Sequence, residues 1–485
     1  MLDERQNHMN KDFVLPYDKT SAASIFEYSK GLIDKTLREF VWDDYLPKKE
    51  TGKGSLGQMV ENIYFFLETN SNPASDFSEA GLELKCTPLK KDKKDNYLIK
   101  ERLVCNMISY CEVVKEDFEH SHFYLKCQLM LLLFYLHQSN IDKLDLKFIY
   151  SVLWRLPEKD LLIIRNDYKT IIDKITRGEA HLLSEGDTEY LGACRKGQKG
   201  DAPVAQPFSD IPAPKRAFSL KPAYMRTVLA YVENCKKRAV ANFTYDTSDV
   251  QLVNIEELKE RSFEDIILNK LLKHRGKDYK QLCEVIGQSY DTDKGKYAHI
   301  ASRLINKDVN NVNLTEEFKK AGLQLKTIRI EENGNIREAM SFENIDYQEV
   351  CDTENWFDSR LYEIFSGRFL FAIFKADGST FTYVNGKEEL KEEKSYTFED
   401  AFFWTMPISD LEQAEAYWMH IKKTIEENHI DPRFFNSIHN ERFHVRPKGR
   451  NANDLAINPN GGFAKKYCYW FNNNYIKEIT SNHVK

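Results

Sequence analysis

Two acidic residues and a lysine near the start of the chain have types and spacing that suit phosphodiester chemistry. Asp76 stands seven residues before Glu83, and Lys85 lies two residues beyond it. The Leu-Glu-Leu-Lys stretch predicts a half-buried strand with Leu82 and Leu84 toward the core. Glu83 and Lys85 then share the opposite face beside Asp76, where they could hold a divalent cation and a water against a phosphodiester. A solvated strand edge is the competing explanation, because dense charge produces such spacings by accident.

The segment that carries these residues occurs twice. DFSEAGLELK at 76–85 returns as EFKKAGLQLK at 317–326, with six of ten positions identical. A second set recurs 250 residues later: Trp154, Pro157, Asp160 and Leu161 return as Trp404, Pro407, Asp410 and Leu411. Tyr224 and Tyr475 continue the series at a shift of 251. A repeat of this kind predicts one fold used twice.

The second copy has lost acidic residues. Glu317 and Gln324 stand in place of Asp76 and Glu83, whereas Lys326 keeps the place of Lys85. The turn after the first copy is basic, with Lys90, Lys91, Lys93, Lys94, Lys100 and Arg102. The corresponding turn of the second copy instead carries Glu331, Glu332 and Glu338. Because a basic rim suits a phosphate backbone, we predict that the first copy cuts DNA and that the second binds without cutting.

Composition is that of a soluble globular protein with two domains. The chain has 485 residues, a formal net charge of -6 and a pI near 6.1, which excludes a wholly basic, histone-like binder but leaves a local basic cleft open. Its nine cysteines form no C-x-x-C pair, which disfavours a disulfide framework and a zinc ribbon and fits a reducing cytoplasm. The longest apolar run, LMLLLFYL at 129–136, is too short for a membrane span. We predict a buried central strand there.

The pattern along the chain predicts a mixed α/β order. An apolar stripe predicts a helix over 54–68, with Glu61 pointing off the stripe. Further strands are predicted at 102–110, 126–137, 146–155, 369–376 and 401–407, and helices at 158–178 and 410–428. The proline-rich stretch 192–216 is predicted to be an irregular binding loop, 236–254 a linker and 444–451 a second basic loop.

Four histidines in the second half of the chain suggest zinc or an HNH nuclease as an alternative. They are His420, His429, His439 and His444. No cysteine pair or acidic ligand accompanies them at the spacing of a metal site. We therefore favour a packing role for these histidines.

Three segments together resemble the MutH endonucleases of mismatch repair and their restriction relatives. They are KGSLGQMVE at 53–61, DF...GLELK at 76–85 and HVRPKGRNANDL at 444–455. The resemblance implies two tandem restriction-endonuclease-like domains of the PD-(D/E)xK class, forming a pseudo-dimer. Residues 1–240 would be the catalytic domain, and 250–485 an inactive domain for DNA binding and allosteric control. It also implies Mg²⁺-dependent cleavage of unmethylated GATC, before the G on each strand.

The resemblance assigns site residues position by position. Glu61, Asp76, Glu83 and Lys85 match the active-site residues of the family, and Lys126, heading the buried strand, matches a further lysine. Asp76 and Glu83 would bind Mg²⁺, Glu61 would orient the attacking water, and Lys85 would position or deprotonate the nucleophile. The residues expected to bind DNA are Lys53, Arg102, Arg195, Lys196, Lys199, Arg446, Pro447 and Lys448.

The chain also departs from the family pattern. Ser75 replaces the expected proline before Asp76, and Cys194 and Arg195 stand where the second copy has its Arg-Pro pair. Ser302 and Ser366 align with Glu61 and Lys126.

A type II restriction endonuclease is the function that these features favour. A mismatch-repair nickase that waits for partner proteins and a non-catalytic GATC-binding regulator are the alternatives. The expected partners are double-stranded DNA with one or two GATC sites, a second copy of the chain in a DNA-induced dimer, and a cognate DNA methyltransferase. We expect a cytoplasmic protein with no membrane partner.

Overall fold

The chain divides into two compact units. The computed structural model describes residues 14–41, 55–67, 74–92, 94–197, 201–242, 250–288, 295–384, 389–431 and 440–484. The first unit comprises Met1–His181 and Tyr190–Thr247, and the second comprises Leu182–Glu189 and Ser248–Lys485. No helix within the described ranges combines the length and apolar character that crossing a bilayer requires.

The first unit is a mixed α/β fold. Its strands are β1 (Glu83–Lys91), β2 (Tyr97–Ile99), β3 (Leu103–Met107), β4 (Leu129–Leu136), β5 (Phe148–Arg155), β6 (Leu191–Arg195), β7 (Val204–Gln206), β8 (Ser209–Ala213), β9 (Arg216–Leu220) and β10 (Ala239–Asn242). Its helices are α1 (Ala22–Ser29), α2 (Ser55–Met59), α3 (Tyr110–Val113), α4 (His122–Cys127), α5 (Glu158–Thr176) and α6 (Pro222–Asn234).

The main sheet of the first unit has the strand order β10-β5-β4-β1-β2. β4 lies at its centre, parallel to β1 and antiparallel to β5. The prediction of a buried central strand at 129–136 is confirmed, because seven of the eight residues of β4 are buried. The strand predicted over 126–137 starts later, since Lys126 lies in the last turn of α4.

Three stretches that the sequence predicted to be loops or a linker contain strands. One of them, 444–451, begins within a strand over Phe443–Pro447. Within 192–216, most of β6 pairs with β9, and β7 and β8 form a hairpin. Proline is tolerated there because β8 belongs to a two-stranded ribbon, where Pro212 need not donate to a neighbouring strand. Phe208 turns the hairpin with a φ of 62°. The predicted linker 236–254 likewise contributes β10 to the main sheet.

The second unit is also mixed α/β. Its strands are β11 (Gln324–Ile330), β12 (Met340–Asn344), β13 (Arg368–Val384), β14 (Leu390–Thr405), β15 (Phe443–Pro447), β16 (Leu455–Ile457), β17 (Phe463–Lys465) and β18 (Tyr467–Phe471). Its described helices are α7 (Ile255–Glu260), α8 (Phe263–Leu272), α9 (Tyr279–Ile286), α10 (Lys296–Ile305), α11 (Glu316–Ala321), α12 (Tyr347–Asp352), α13 (Arg360–Phe365), α14 (Ile408–Glu426) and α15 (Asn473–Thr480).

Strand connections in the second unit follow the order seen in the first. β11 runs parallel to β13, and β13 runs antiparallel to β14, as β1, β4 and β5 do. β12, β18 and β15 form a small antiparallel sheet like that of β3, β9 and β6. The strands predicted at 369–376 and 401–407 are much longer, because polar residues continue their pairing beyond the apolar runs.

One buried hydrogen bond occurs in both units. The Tyr224 hydroxyl donates to Asp160 at 2.9 Å, and the Tyr475 hydroxyl donates to Asp410 at 2.6 Å. Each aspartate lies in the first turn of a 19-residue helix that follows a proline N-cap. The repeated sequence positions therefore build the same contact twice.

Removing either tyrosine hydroxyl should destabilise the protein. Tyr224→Phe and Tyr475→Phe each leave a buried aspartate without one of its donors, and we expect each to lower the free energy of unfolding by about 1–3 kcal/mol. Urea unfolding measures this change. Tyr383→Phe, at a partly exposed position, is the control. Unchanged stability in both buried variants would contradict the prediction.

Candidate active site

A tight turn brings Asp76 against the first residues of β1. Phe77 and Leu82 form an isolated antiparallel bridge around the turn, and Gly81 takes a left-handed conformation with a φ of 60°. The Leu84 amide donates to Asp76 Oδ2 at 2.9 Å, and the Asp76 amide donates to Glu83 Oε2 at 3.3 Å. The seven-residue spacing thus places both carboxylates side by side at the start of β1.

Glu83 is the centre of an ionic cluster. Its Oε1 lies 2.7 Å from Lys85 Nζ and 3.5 Å from Lys126 Nζ. The sequence predicted a polar strand face, but Glu83 is only 2% exposed and as buried as Leu82 and Leu84. The reason is that Lys126 from α4 and backbone atoms of β3 lie against that face. A buried carboxylate of this kind needs its cationic partners.

Lys85 is held as a cation. Its ammonium also donates to the Cys105 carbonyl at 3.3 Å. Burial by itself lowers the pKa of Lys85, but the adjacent Glu83 carboxylate raises this pKa by more than burial lowers it. The pKa of Lys85 therefore lies above its ordinary value. In this arrangement Lys85 suits the binding of a negatively charged group better than the removal of a proton.

Glu61 lies near the two carboxylates in a π-helical turn, Val60–Tyr64, that continues α2. Such turns are frequent at functional sites. Burial, reinforced by Asp76 and Glu83, raises the pKa of Glu61 to about 7. Burial and Glu83 also raise the pKa of Asp76. Three carboxylates thus share this region with Lys85 and Lys126, an excess of negative charge that favours a further cation.

The carboxylates suit Mg²⁺. No group of three His, Cys, Asp or Glu side chains in the described part of the chain is arranged to hold a metal ion by itself. Mg²⁺ does not require one, since it is commonly held by one or two carboxylates together with waters and substrate phosphates. Asp76 and Glu83 supply hard oxygen ligands of that type.

The corresponding region of the second unit keeps the lysine and lacks the carboxylates. Lys326 donates to the Ser341 carbonyl at 3.0 Å, as Lys85 does to the Cys105 carbonyl. Gln324 begins β11 as Glu83 begins β1. The second copy has thus replaced an acid with its amide at this position.

Asn313, rather than Glu317, takes the structural place of Asp76. Its Oδ1 accepts a hydrogen bond from the Leu325 amide at 2.6 Å, which matches the bond from Leu84 to Asp76. Glu317 lies in α11, where its Oε1 accepts from the Leu252 amide at 2.8 Å. The alignment of 317–326 with 76–85 concealed this exchange because Asn313 precedes the repeated segment.

The match between Lys126 and Ser366 also needs correction. Ser121 and Ser359 cap α4 and α13 in the same way, and counting from these caps places the buried Ile364 at the position of Lys126. Ser366 follows the helix. Ser302, aligned with Glu61, is buried, and its hydroxyl donates to the Ala298 carbonyl and accepts from the Val312 amide. The second unit therefore lacks both the ammonium group of Lys126 and the carboxylate of Glu61.

The residues expected to bind DNA occupy strand ends and turns. Arg195 ends β6 and Pro447 ends β15, and both are exposed together with Arg446 and Lys448. Lys196 is half-buried, as is Arg102, just before β3. Lys53, Lys199 and Lys93 lie outside the described residues.

The basic rim after β1 is less positive than its sequence suggests. Lys91 forms an ion pair with Asp95 at 3.2 Å, and Lys100 forms one with Glu101 at 3.0 Å. The Lys91–Asp95 pair is exposed and is readily exchanged for a phosphate contact, because surface ion pairs contribute little free energy, whereas the Lys100–Glu101 pair is half-buried.

A polar groove of the second unit was not predicted from the sequence. It encloses about 740 Å³, and its lining includes Arg337, Glu338, Ser341, Arg446, Trp470 and Asn472. The guanidinium of Arg446 lies 5.7 Å from the centre of the Trp470 ring. His444, buried and hydrogen-bonded to Asn472, stacks on the same ring. His439 lies outside the described residues.

Comparisons with known proteins agree with this geometry. The family model for "DNA mismatch repair enzyme MutH" matches residues 65–167, a range that includes Asp76, Glu83, Lys85 and Lys126. "DNA mismatch repair protein MutH" of Buchnera aphidicola subsp. Baizongia pistaciae (strain Bp) is 22% identical over 175 residues, which cover 36% of this chain and 78% of that protein.

A restriction enzyme matches over a much longer range. "Type II restriction enzyme Sau3AI" of Staphylococcus aureus is 30% identical over 475 residues, covering 88% of this chain and 92% of that protein. The similarity thus includes both units, whereas the MutH model covers part of the first. The chain belongs to the family of MutH-like type II restriction endonucleases and is a site-specific deoxyribonuclease.

Proposed function

We propose that the protein hydrolyses DNA at GATC, before the G on each strand, in a reaction that requires Mg²⁺. The first unit is the catalytic domain, and the second is an inactive DNA-binding copy, so that the chain forms a pseudo-dimer. The observation that carries this proposal is the ionic cluster around Glu83, with Asp76 beside it. In the second unit the amides Gln324 and Asn313 take the positions of Glu83 and Asp76. Restriction at GATC is drawn from the family resemblance.

Each side chain of the cluster has a role that follows from its position. Asp76 and Glu83 would hold Mg²⁺, which supplies positive charge to a phosphate oxygen during hydrolysis. Lys85, kept protonated by Glu83, binds the phosphate and stabilises the negative charge that develops on it. Glu61, which lies in the π-helical turn beside Asp76 and Glu83, orients the attacking water and accepts its proton. Lys126 holds Glu83 in place.

A plasmid digest tests the function. Purified protein with Mg²⁺ should cut unmethylated plasmid without any partner protein, and sequencing of the ends should place every cut before the G of GATC. A mismatch-repair nickase would leave plain GATC duplex intact until partner proteins were added. A non-catalytic regulator would not cut at all. Cleavage at other sequences, or in the presence of EDTA, would contradict the proposal.

The second unit also has a role in cleavage. A single catalytic site cuts one strand, so a double-strand break requires two catalytic units brought together or two successive nicks. We propose that GATC binding by the second unit favours the cutting-competent state, which is allostery in the strict sense. Plasmids with two GATC sites should then be cut faster than plasmids with one. Equal rates would contradict this role.

Arg446 should read a guanine edge. It is exposed at the end of β15 beside the groove, and arginine recognises guanine through two parallel hydrogen bonds. We expect Arg446→Ala to weaken binding to GATC duplex by about 1–3 kcal/mol and to relax specificity. Anisotropy titrations on GATC and scrambled duplexes measure both effects.

The exposed lysine Lys90 provides the comparison. Lys90→Ala removes a phosphate contact in our proposal and should weaken binding to both duplexes alike. Equal losses on the two duplexes for Arg446→Ala would reclassify Arg446 as a backbone contact.

A further inference from the structure

Two lysines of the second unit converge on one residue. Lys326 Nζ donates to the Ser341 carbonyl at 3.0 Å, and Lys448 Nζ donates to the Ser341 hydroxyl at 2.7 Å. Ser341 lines the groove, and so does Arg446. Lys448 and Arg446 both lie over the Trp470 ring, at 5.5 and 5.7 Å from its centre. We call Lys326, Lys448 and Arg446 the cationic cluster.

Nearby carboxylates are engaged with other residues. Glu343 forms an ion pair with Arg360 at 2.5 Å, and Glu338, which lines the groove, pairs with Arg329. Within the described ranges, no carboxylate lies at ion-pair distance from Lys326, Lys448 or Arg446. The cluster therefore keeps positive charge that no ion pair within the described ranges neutralises.

The active-site positions have reversed their charge in this unit. In the first unit, the five positions of the catalytic set hold three acids and two lysines, Glu61, Asp76, Glu83, Lys85 and Lys126. Their counterparts are Ser302, Asn313, Gln324, Lys326 and Ile364. In the first unit these positions carry an excess of negative charge, which suits a cation. In the second unit they carry a single positive charge, and Lys448 and Arg446 add two more beside it. Such a site favours an anion.

The lysines also repel one another. Burial, together with the positive charge of Lys448, lowers the pKa of Lys326 to about 8. An anion placed between the two ammonium groups would remove this repulsion. Protein stability alone gives no reason to keep a lysine there, since an apolar side chain would avoid the cost of burying the charge.

We infer that Lys326 and Lys448 of the cationic cluster bind one backbone phosphate of duplex DNA without a divalent cation, beside the base edge that Arg446 is proposed to read. This inference rests on the proposed DNA-binding role of the second unit and adds its ligand and its independence from metal. The site of the first unit would hold phosphate through both Mg²⁺ and Lys85, whereas the second unit would hold it through lysine alone. Its DNA binding therefore continues when the metal is removed.

Binding in EDTA tests the inference. The full-length Glu83→Gln protein, which should not cut, is titrated with a labelled GATC duplex at several salt concentrations. Adding Lys326→Met or Lys448→Met should weaken binding roughly tenfold and reduce the slope of log K against log salt by about 1. Lys319→Met, at an exposed lysine of α11, is the control. Gln324→Glu should also weaken binding, because it returns a carboxylate to the site.

A duplex with single uncharged methylphosphonate linkages identifies the phosphate. One linkage should weaken binding of the Glu83→Gln protein and have no further effect once Lys326→Met is present. Unchanged affinity and an unchanged salt slope in both lysine variants would overturn the inference. It would also be overturned if every methylphosphonate linkage weakened binding by the same factor with and without Lys326→Met. Failure of the proposed function is distinguishable, because it appears as absence of GATC cleavage by the unmodified protein with Mg²⁺.

Discussion

Replacing Glu83 by glutamine should reduce DNA cleavage by roughly 10³-fold or more, because the side chain acts with its neighbours as one unit. The Glu83 carboxylate lies against Lys85 and Lys126 and is a proposed Mg²⁺ ligand. Glutamine keeps the shape but removes the charge, as Gln324 does in the second unit. Asp76→Asn and Lys85→Met should reduce the rate of DNA cleavage by a factor of the same order. Timed plasmid digests with Mg²⁺ measure the rates.

Binding and folding controls isolate the chemistry. Glu79→Gln changes an exposed carboxylate of the same turn, paired with Lys19 at 2.6 Å, and should cut normally. Circular dichroism and anisotropy should show that the Glu83→Gln protein is folded and binds DNA. Glu61→Gln should be severely impaired, and Lys126→Ala impaired. Normal cleavage by Glu83→Gln would remove Glu83 from the active site.

Replacing Lys326 by methionine should stabilise the protein at neutral pH. Burial and Lys448 lower the pKa of Lys326 from 10.5 to about 8, which corresponds to a cost on the order of 3 kcal/mol for keeping it charged. Methionine preserves most of the volume and removes that cost, so up to this amount should be added to the free energy of unfolding. Urea unfolding at neutral pH measures the gain.

The pH dependence of stability has a definite sign. The unfolded chain binds more protons than the folded protein between the folded pKa of about 8 and the ordinary value of 10.5. The cost is therefore fully present below pH 8, and stability should rise as pH increases through this window. Lys326→Met should remove that rise, whereas Lys319→Met should keep it. An unchanged pH profile for Lys326→Met would show that the ammonium is not destabilised in the folded protein.

Local sequence was sufficient for the features that depend on neighbouring residues. Alternation around Glu83 predicted the start of β1, and the apolar run at 129–136 predicted β4, because side chains alternate along a strand and central strands are apolar on both faces. The repeat at a shift of 250 predicted that Asp160 and Asp410 would have equivalent surroundings. Turn geometry within 76–84 then joined Asp76 to β1.

The tertiary structure decided how distant residues complete each site. Lys126, which the family resemblance had already assigned to the site, reaches Glu83 across 43 residues of chain. Asn313, which only the structure identified, replaces Asp76 although it lies outside the repeated segment. Ser341 joins Lys326 to Lys448 because β11, β12 and β15 come together in space. Such contacts depend on strand order and register, and these are set by packing over the whole unit. The residue spacing along the chain therefore predicts the chemistry of the proposed catalytic carboxylates and Lys85, and the fold determines how the distant side chains are arranged around them.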